Sequence, residues 1–278
     1  MPEVLRKGRA TARNEDVLAV AAERTQPGTS ARTGVVWEVL SAGLARQAQR
    51  RGQAALDVVD LGGGTGGFAV PLARLGHRVT VVDPSPDALA SLERRAAEDG
   101  VSDRVRAVQG DLAAVFDAVA KESADAVLCH GVLEVADDPV EGMGAAARVL
   151  RPGGLVSVLA ASRDGLVVAR ALGGNIAGAL SALRGLSVGR AAAGNVPNAA
   201  DPPYPPSPRR FTEDALVELL RAAGLEVVSR HGVLLFADLV PTAAADDPDL
   251  IELEVATASR PEFRALATRL HVLASRPD

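Results

Sequence analysis

Short apolar runs alternate with stretches of helical periodicity along most of the chain, the arrangement that gives a parallel sheet flanked by helices. Between Arg32 and Arg51, residues Val35, Val36, Val39, Leu40 and Leu44 recur at three- and four-residue spacing, which predicts a first helix. Strands are then expected at Leu56–Asp60, Arg78–Asp83, Val105–Val108, Ala124–His130 and Gly154–Ala160. Helices are expected behind the first two, over Gly66–Leu75 and from Pro84-Ser85-Pro86 to Gly100. After Ala161 the alternation breaks. Residues 163–210 hold an apolar, glycine-dotted helical stretch and then a loop, Pro197 to Pro208, whose prolines fix φ and lack a donor. From Thr212 the pattern resumes: an N-cap and a helix stopping at Gly224, then strands at Leu225–His231 and Leu266–Ala274.

The fold predicted is α/β: a doubly wound, seven-stranded, mostly parallel sheet with an antiparallel pair at its edge and a helical and loop lid after strand five. The 278 residues read as one domain. Its parts are a helical cap at 1–51, a cofactor-binding core at 52–161, a lid or substrate-recognition insertion at 162–211, and a helix and strands at 212–278.

Composition narrows the chemistry. A hydrophobic share of 47% with 23% charged residues supports a buried core. Cys129 is the sole cysteine, so an intrachain disulfide and a thiolate-built zinc site are both excluded, and no metal is expected. The charged amino terminus does not read as a secretory signal. The most apolar later stretch, Ala171–Leu183, is 13 residues long and too short to cross a bilayer, so a cytoplasmic protein without a membrane partner is expected. Net charge is −5, yet residues 163–210 hold six arginines against two acids. That local surplus fits a solvated arginine-rich face or a surface that meets phosphates.

The candidate chemistry sits in Asp60-Leu61-Gly62-Gly63-Gly64-Thr65-Gly66, between a predicted strand and a predicted helix. Glycines there allow a tight turn that brings backbone N–H groups and a helix N-terminus close to a ligand. Because Gly67 follows, the spacing also satisfies a dinucleotide fingerprint, with Asp83 where its ribose-binding acid would stand. A nicotinamide and S-adenosylmethionine both remain open on spacing alone. Three features favour the latter. Asp60 would face a cationic amino group but repel a pyrophosphate. Gly110-Asp111-Leu112 ends the third strand where an adenine would lie, and Val149-Leu-Arg-Pro-Gly-Gly154 leads into the fifth.

Together these motifs resemble the class I S-adenosylmethionine-dependent methyltransferases over residues 56–160. Along almost the whole chain the sequence is similar to the bacterial tRNA 5-carboxymethoxyuridine methyltransferases. The similarity is carried by Ala31-Arg-Thr-Gly-Val-Val-Trp37, Cys129-His-Gly-Val-Leu-Glu134, Gly174-Asn175, Tyr204-Pro205, Gly232-Val-Leu-Leu-Phe-Ala-Asp238, Glu252-Leu-Glu254 and Leu270-His-Val272. The resemblance implies a Rossmann-like fold and S-adenosylmethionine as cofactor. It implies cofactor contacts from Arg32, Gly62, Gly63, Asp83, Leu112, Ala113 and His130, to which the loop and strand-end positions add Asp60, Gly64 and Asp111. It departs from the family where a lysine cluster is expected before Tyr204; Leu186–Gly194 holds one basic residue.

Methyl transfer requires alignment rather than a nucleophilic side chain. An ionised carboxylate acceptor needs no base, whereas a hydroxyl acceptor would make His130 the candidate catalytic base by its position at the end of strand four. The acceptors expected are a modified wobble uridine in tRNA, carrying a carboxymethoxy or hydroxy group, or a small molecule of secondary metabolism. A non-catalytic cofactor-binding module is the remaining reading.

Overall fold

The computed structural model describes residues 30–112, 115–185, 208–240 and 244–278. Helix α1 (Gly34–Arg51) precedes β1 (Asp57–Leu61), and α2 (Ala69–Arg74) leads to β2 (Arg78–Asp83). Next come α3 (Pro86–Glu98), β3 (Val105–Gln109), α4 (Val115–Ala118), β4 (Ala124–His130), α5 (Pro139–Val149) and β5 (Leu150–Ala161). Two helices follow, α6 (Arg163–Leu172) and α7 (Ile176–Leu183). The last elements are α8 (Glu213–Ala222), β6 (Glu226–Val233), α9 (Phe236–Leu239), α10 (Pro248–Ala258), α11 (Pro261–Arg264) and β7 (Arg269–Ser275).

The strands form one sheet in the order β3-β2-β1-β4-β5-β7-β6. Strands β1 to β5 are parallel, β7 runs antiparallel to β5, and β6 antiparallel to β7. This is the doubly wound, mostly parallel sheet with an antiparallel edge addition that the sequence pattern predicts. Residues alternate between its two faces. Val58, Val79, Val81, Ala126 and Leu128 pack under α1, α2 and α3. Val59, Leu61, Val127, Cys129 and Val158 pack under α4, α5 and α8. Cys129 is fully buried in that second core and burial pushes its thiol pKa up, so it packs rather than reacts.

The helices start where polar side chains cap them. Ser85 accepts from Ala88 N–H at 3.2 Å, and Asp138 accepts from Val140 and Glu141 at 2.8 and 3.1 Å with Pro139 in the first turn. Thr212 accepts from Ala215 at 3.2 Å. At the other end of the sheet Arg151 bonds Asp57 at 3.0 Å and Asp125 at 2.9 Å, tying β5 to β1 and β4. That end is structural; the carboxyl ends of the parallel strands face the site.

The expected helical stretch after Ala161 divides in two because Gly174 takes a φ of 75° and Asn175 then caps α7, accepting from Gly178 at 2.8 Å. At Gly165 a Cβ would collide with the carbonyl of Ala267, so a glycine lets α6 lie against the chain entering β7. Arg190, Tyr204 and the loop from Pro197 to Ser207 lie outside the described residues. Among the described residues no helix is long and apolar enough to cross a membrane.

Candidate active site

Strand β1 delivers the chain into the glycine loop, which turns back with positive φ at Gly62, Gly64 and Gly66, 67°, 54° and 81°. A Cβ on Gly62 would overlap Val132 Cγ2, so the loop approaches the β4–α5 connection as closely as backbone permits. Asp83, at the end of β2, holds the turn: its Oδ2 accepts from Gly64 N–H at 2.9 Å and its Oδ1 from Ser85 N–H at 2.9 Å.

A cleft of about 600 Å³ opens beside this loop, a size suited to a small ligand. Its walls are Leu61 and Gly62 at the end of β1, Val82, Asp83 and Pro84 at the end of β2, and Gly110, Asp111 and Leu112 after β3. The β4–α5 connection closes it with Gly131, Val132, Val135, Ala136, Asp137 and Asp138, and α5 adds Glu141 and Gly142.

Of the residues singled out in the sequence, Gly62, Asp83, Asp111 and Leu112 come together on this lining. Gly63 and Gly64 form the turn behind it. Asp60 does not reach the wall: it is 3% exposed, and a Cβ on Gly63 would lie 2.5 Å from its Oδ2, so its carboxyl sits under the loop. Burial and the neighbouring Asp83 charge push the Asp60 pKa up to about 7. Arg32 is exposed just before α1, its backbone N–H donating to Ser30 Oγ at 3.3 Å, and it is not on the lining. Ala113 lies outside the described residues.

His130 is also off the lining. Its ring meets Phe68 edge-on at 4.8 Å, and Phe68 in turn packs against Trp37 of α1. Its Nε2 shares a hydrogen bond with Ser157 Oγ at 2.8 Å, and the same oxygen bonds His271 Nε2 at 2.8 Å. His271 stacks on His231 across β7 and β6 at 5.5 Å. Burial pulls the His130 pKa down to about 4, so the imidazole is neutral and a weak base. A base that weak is mismatched to a hydroxyl acceptor.

Sequence reasoning missed much of the β4–α5 side of the cleft, Val132, Val135, Ala136, Glu141 and Gly142. The apolar members had no local signal because their closeness to the glycine loop depends on β1 and β4 being neighbours.

Residues 59–158 match the family described as a methyltransferase domain. Over 276 residues the chain is 28% identical to a tRNA 5-carboxymethoxyuridine methyltransferase of Escherichia coli, covering 96% of this chain and 97% of that one. It is 30% identical over 207 residues to a ubiquinone biosynthesis O-methyltransferase of Cereibacter sphaeroides, covering 74% of each chain. The chain belongs to the class I S-adenosylmethionine-dependent methyltransferases. The fold agrees: a S-adenosylmethionine dependent methyltransferase of Mesorhizobium loti superposes with a TM-score of 0.55 at 19% identity, covering 86% of this chain and 97% of that one.

The methyltransferase's cleft fits its methyl donor on charge as well as size. Among the described residues the lining carries Asp83, Asp111, Asp137, Asp138 and Glu141 and no Lys, Arg or His. Such a wall attracts a sulfonium and repels a pyrophosphate, in keeping with the methyl donor rather than the nicotinamide that the glycine spacing left open. Val82, Pro84 and Leu112 give this lining an apolar part.

Proposed function

We propose that this methyltransferase esterifies the carboxymethoxy group of a 5-carboxymethoxyuridine in the anticodon of tRNA, in the cytoplasm. The observation that carries the reading is the similarity to the tRNA 5-carboxymethoxyuridine methyltransferase, which extends through the amino-terminal helix, the region after β5 and both antiparallel strands rather than the cofactor core alone.

Within this reading Asp83 receives the ribose hydroxyls, for which each of its oxygens keeps a lone pair beyond its backbone bond. Gly62, Gly63 and Gly64 lie against the methionine portion. Asp111 and Leu112 flank the adenine. Bound S-adenosylmethionine supplies an electrophilic methyl carbon. The chain aligns the acceptor oxygen with it, and proximity of this kind contributes several kcal/mol, on the order of 7–11 in well-oriented systems. The O–C bond forms as the C–S bond breaks, the electron pair stays with sulfur, and no proton moves. A carboxylate, with a pKa of about 4, needs no base, and the weakly basic His130 is then a positioning residue that orders the end of β4 through Ser157 and His271. Residues 162–211 serve as the acceptor-recognition segment.

Nucleoside mass spectrometry of total tRNA from wild-type and deletion strains tests this. The ester-bearing wobble nucleoside disappears from the deletion strain and its free acid accumulates; identical profiles refute the acceptor. A small-molecule acceptor is the second reading, supported by the Cereibacter relative and by the exposed apolar side chains Leu172, Ile176, Leu180 and Leu183 on α6 and α7.

A further inference from the structure

Beyond the cofactor cleft, guanidinium groups converge at the carboxyl end of β5. The chain from Arg209 to Phe211 is pinned between two backbones: Arg209 N–H donates to the Glu134 carbonyl at 2.9 Å, and Phe211 bonds Ala161 and Arg163 at 2.9 and 2.8 Å. Arg209 Nη1 caps the carbonyl of Ala136, on the cleft lining, at 2.8 Å. Arg210 is thereby fixed at the carboxyl end of β5, its Nη1 reaching the Ser162 carbonyl at 3.4 Å. Partial burial, then the charges of Arg269 and Arg170, weaken its hold on its proton, and Glu134 acts in the opposite sense.

Glu134 balances only one of these charges. Its Oε1 already accepts from Ala161 N–H at 2.8 Å and from Arg269 Nη1 at 3.0 Å. Arg170 uses its Nη1 on the Gly178 carbonyl at 3.0 Å. Three guanidinium groups against one carboxylate leave a positive surplus, held on separate elements, that an incoming anion relieves. Arg210 retains its Nε and Nη2 for that anion, the pair of parallel donors a carboxylate accepts.

We infer that Arg210, with Arg170 and Arg269 beside it, is the anion seat of the acceptor site and grips the acceptor's carboxylate. This rests on the acceptor reading above and adds its specificity determinant. The grip acts on charge present before transfer and absent afterwards. It therefore selects the acid over a neutral precursor, and it releases the ester product. Loss of an interaction at least as strong in the ground state as in the transition state raises KM and does not lower kcat.

The test uses the full chain and tRNA carrying 5-carboxymethoxyuridine, with tRNA carrying 5-methoxyuridine as the neutral control. Arg210→Ala is expected to raise KM for the acid by roughly 10- to 100-fold, as loss of a charge-assisted pair does, with kcat little changed. Arg210→Lys recovers part of the loss, and S-adenosylhomocysteine binds both variants as it binds wild type. An unchanged KM overturns the seat. So does equal weakening of acid and neutral tRNA, which marks a backbone phosphate contact instead. If wild type fails to methylate the tRNA, the acceptor reading falls, and the seat is judged on free 5-carboxymethoxyuridine against its methyl ester. A wild-type preference for the acid that Arg210→Ala abolishes upholds it; equal binding of acid and ester by wild type overturns it.

Discussion

Asp83 holds Gly64: the carboxylate at the end of β2 accepts the loop's backbone N–H at 2.9 Å, and its second oxygen accepts from Ser85 at 2.9 Å. One side chain therefore shapes the glycine turn, holds the backbone of Ser85 that caps α3, and faces the cleft. Asp83→Ala removes all three, and the affinity for S-adenosylhomocysteine by calorimetry is expected to fall by about 100-fold or more, the scale of losing several charge-assisted hydrogen bonds. Circular dichroism stays that of a folded protein. Unaltered affinity refutes the assignment of Asp83 to the cofactor.

Gly62 tests the shape of the same site. A valine there meets the strain of a φ of 67° and drives its Cβ into Val132 Cγ2. The displaced Val132 moves into the cleft, so Gly62→Val is expected to abolish S-adenosylhomocysteine binding while urea unfolding remains cooperative. Normal affinity would place the cofactor elsewhere.

Stability should depend on pH through the buried histidines. Burial lowers His130 to about 4, burial and the charge of Arg264 lower His231 to about 4, and His271 lies well below its ordinary 6.5. The unfolded chain binds protons at these positions below pH 6.5 and the folded chain does not until about pH 4, so stability declines as pH falls through that window. Asp60 works in the opposite direction, since its folded pKa of about 7 lies above its ordinary 3.8 and acidification relieves it. The urea midpoint of wild type is expected to fall below pH 6.5, and more steeply in Asp60→Asn. A flat profile, or a shallower one in the variant, contradicts the buried, neutral arrangement.

What was legible in the sequence follows from which interactions are local. Strands β2 and β4 run over the residues their apolar patterns mark, and Thr212 caps the helix it precedes. β5 begins earlier than its apolar run, because Leu150 pairs with Ala124 across a bulge. The glycine turn and Asp83 were visible because strand, turn and helix carry their own signals. The row of His130, Ser157, His271 and His231 was not, since it exists only once β7 enters antiparallel between β5 and β6 and sets His271 opposite His231. Arg210 was one arginine among many until the fold brought Arg170 and Arg269 to it. Asp60 was misleading for a related reason: its place in the loop suggested the cleft, but strand alternation turns it to the face shared by Val58 and Val81.

The central claim, methyl transfer to a carboxylate on tRNA, is tested most directly with purified protein, S-adenosylmethionine and tRNA from a strain lacking the enzyme. After digestion, mass spectrometry is expected to show 5-carboxymethoxyuridine converted to its methyl ester, with the added methyl released by mild alkali as an ester's is and an ether's is not. Recovery of the free acid unchanged, or an alkali-stable methyl on any other nucleoside, would contradict it.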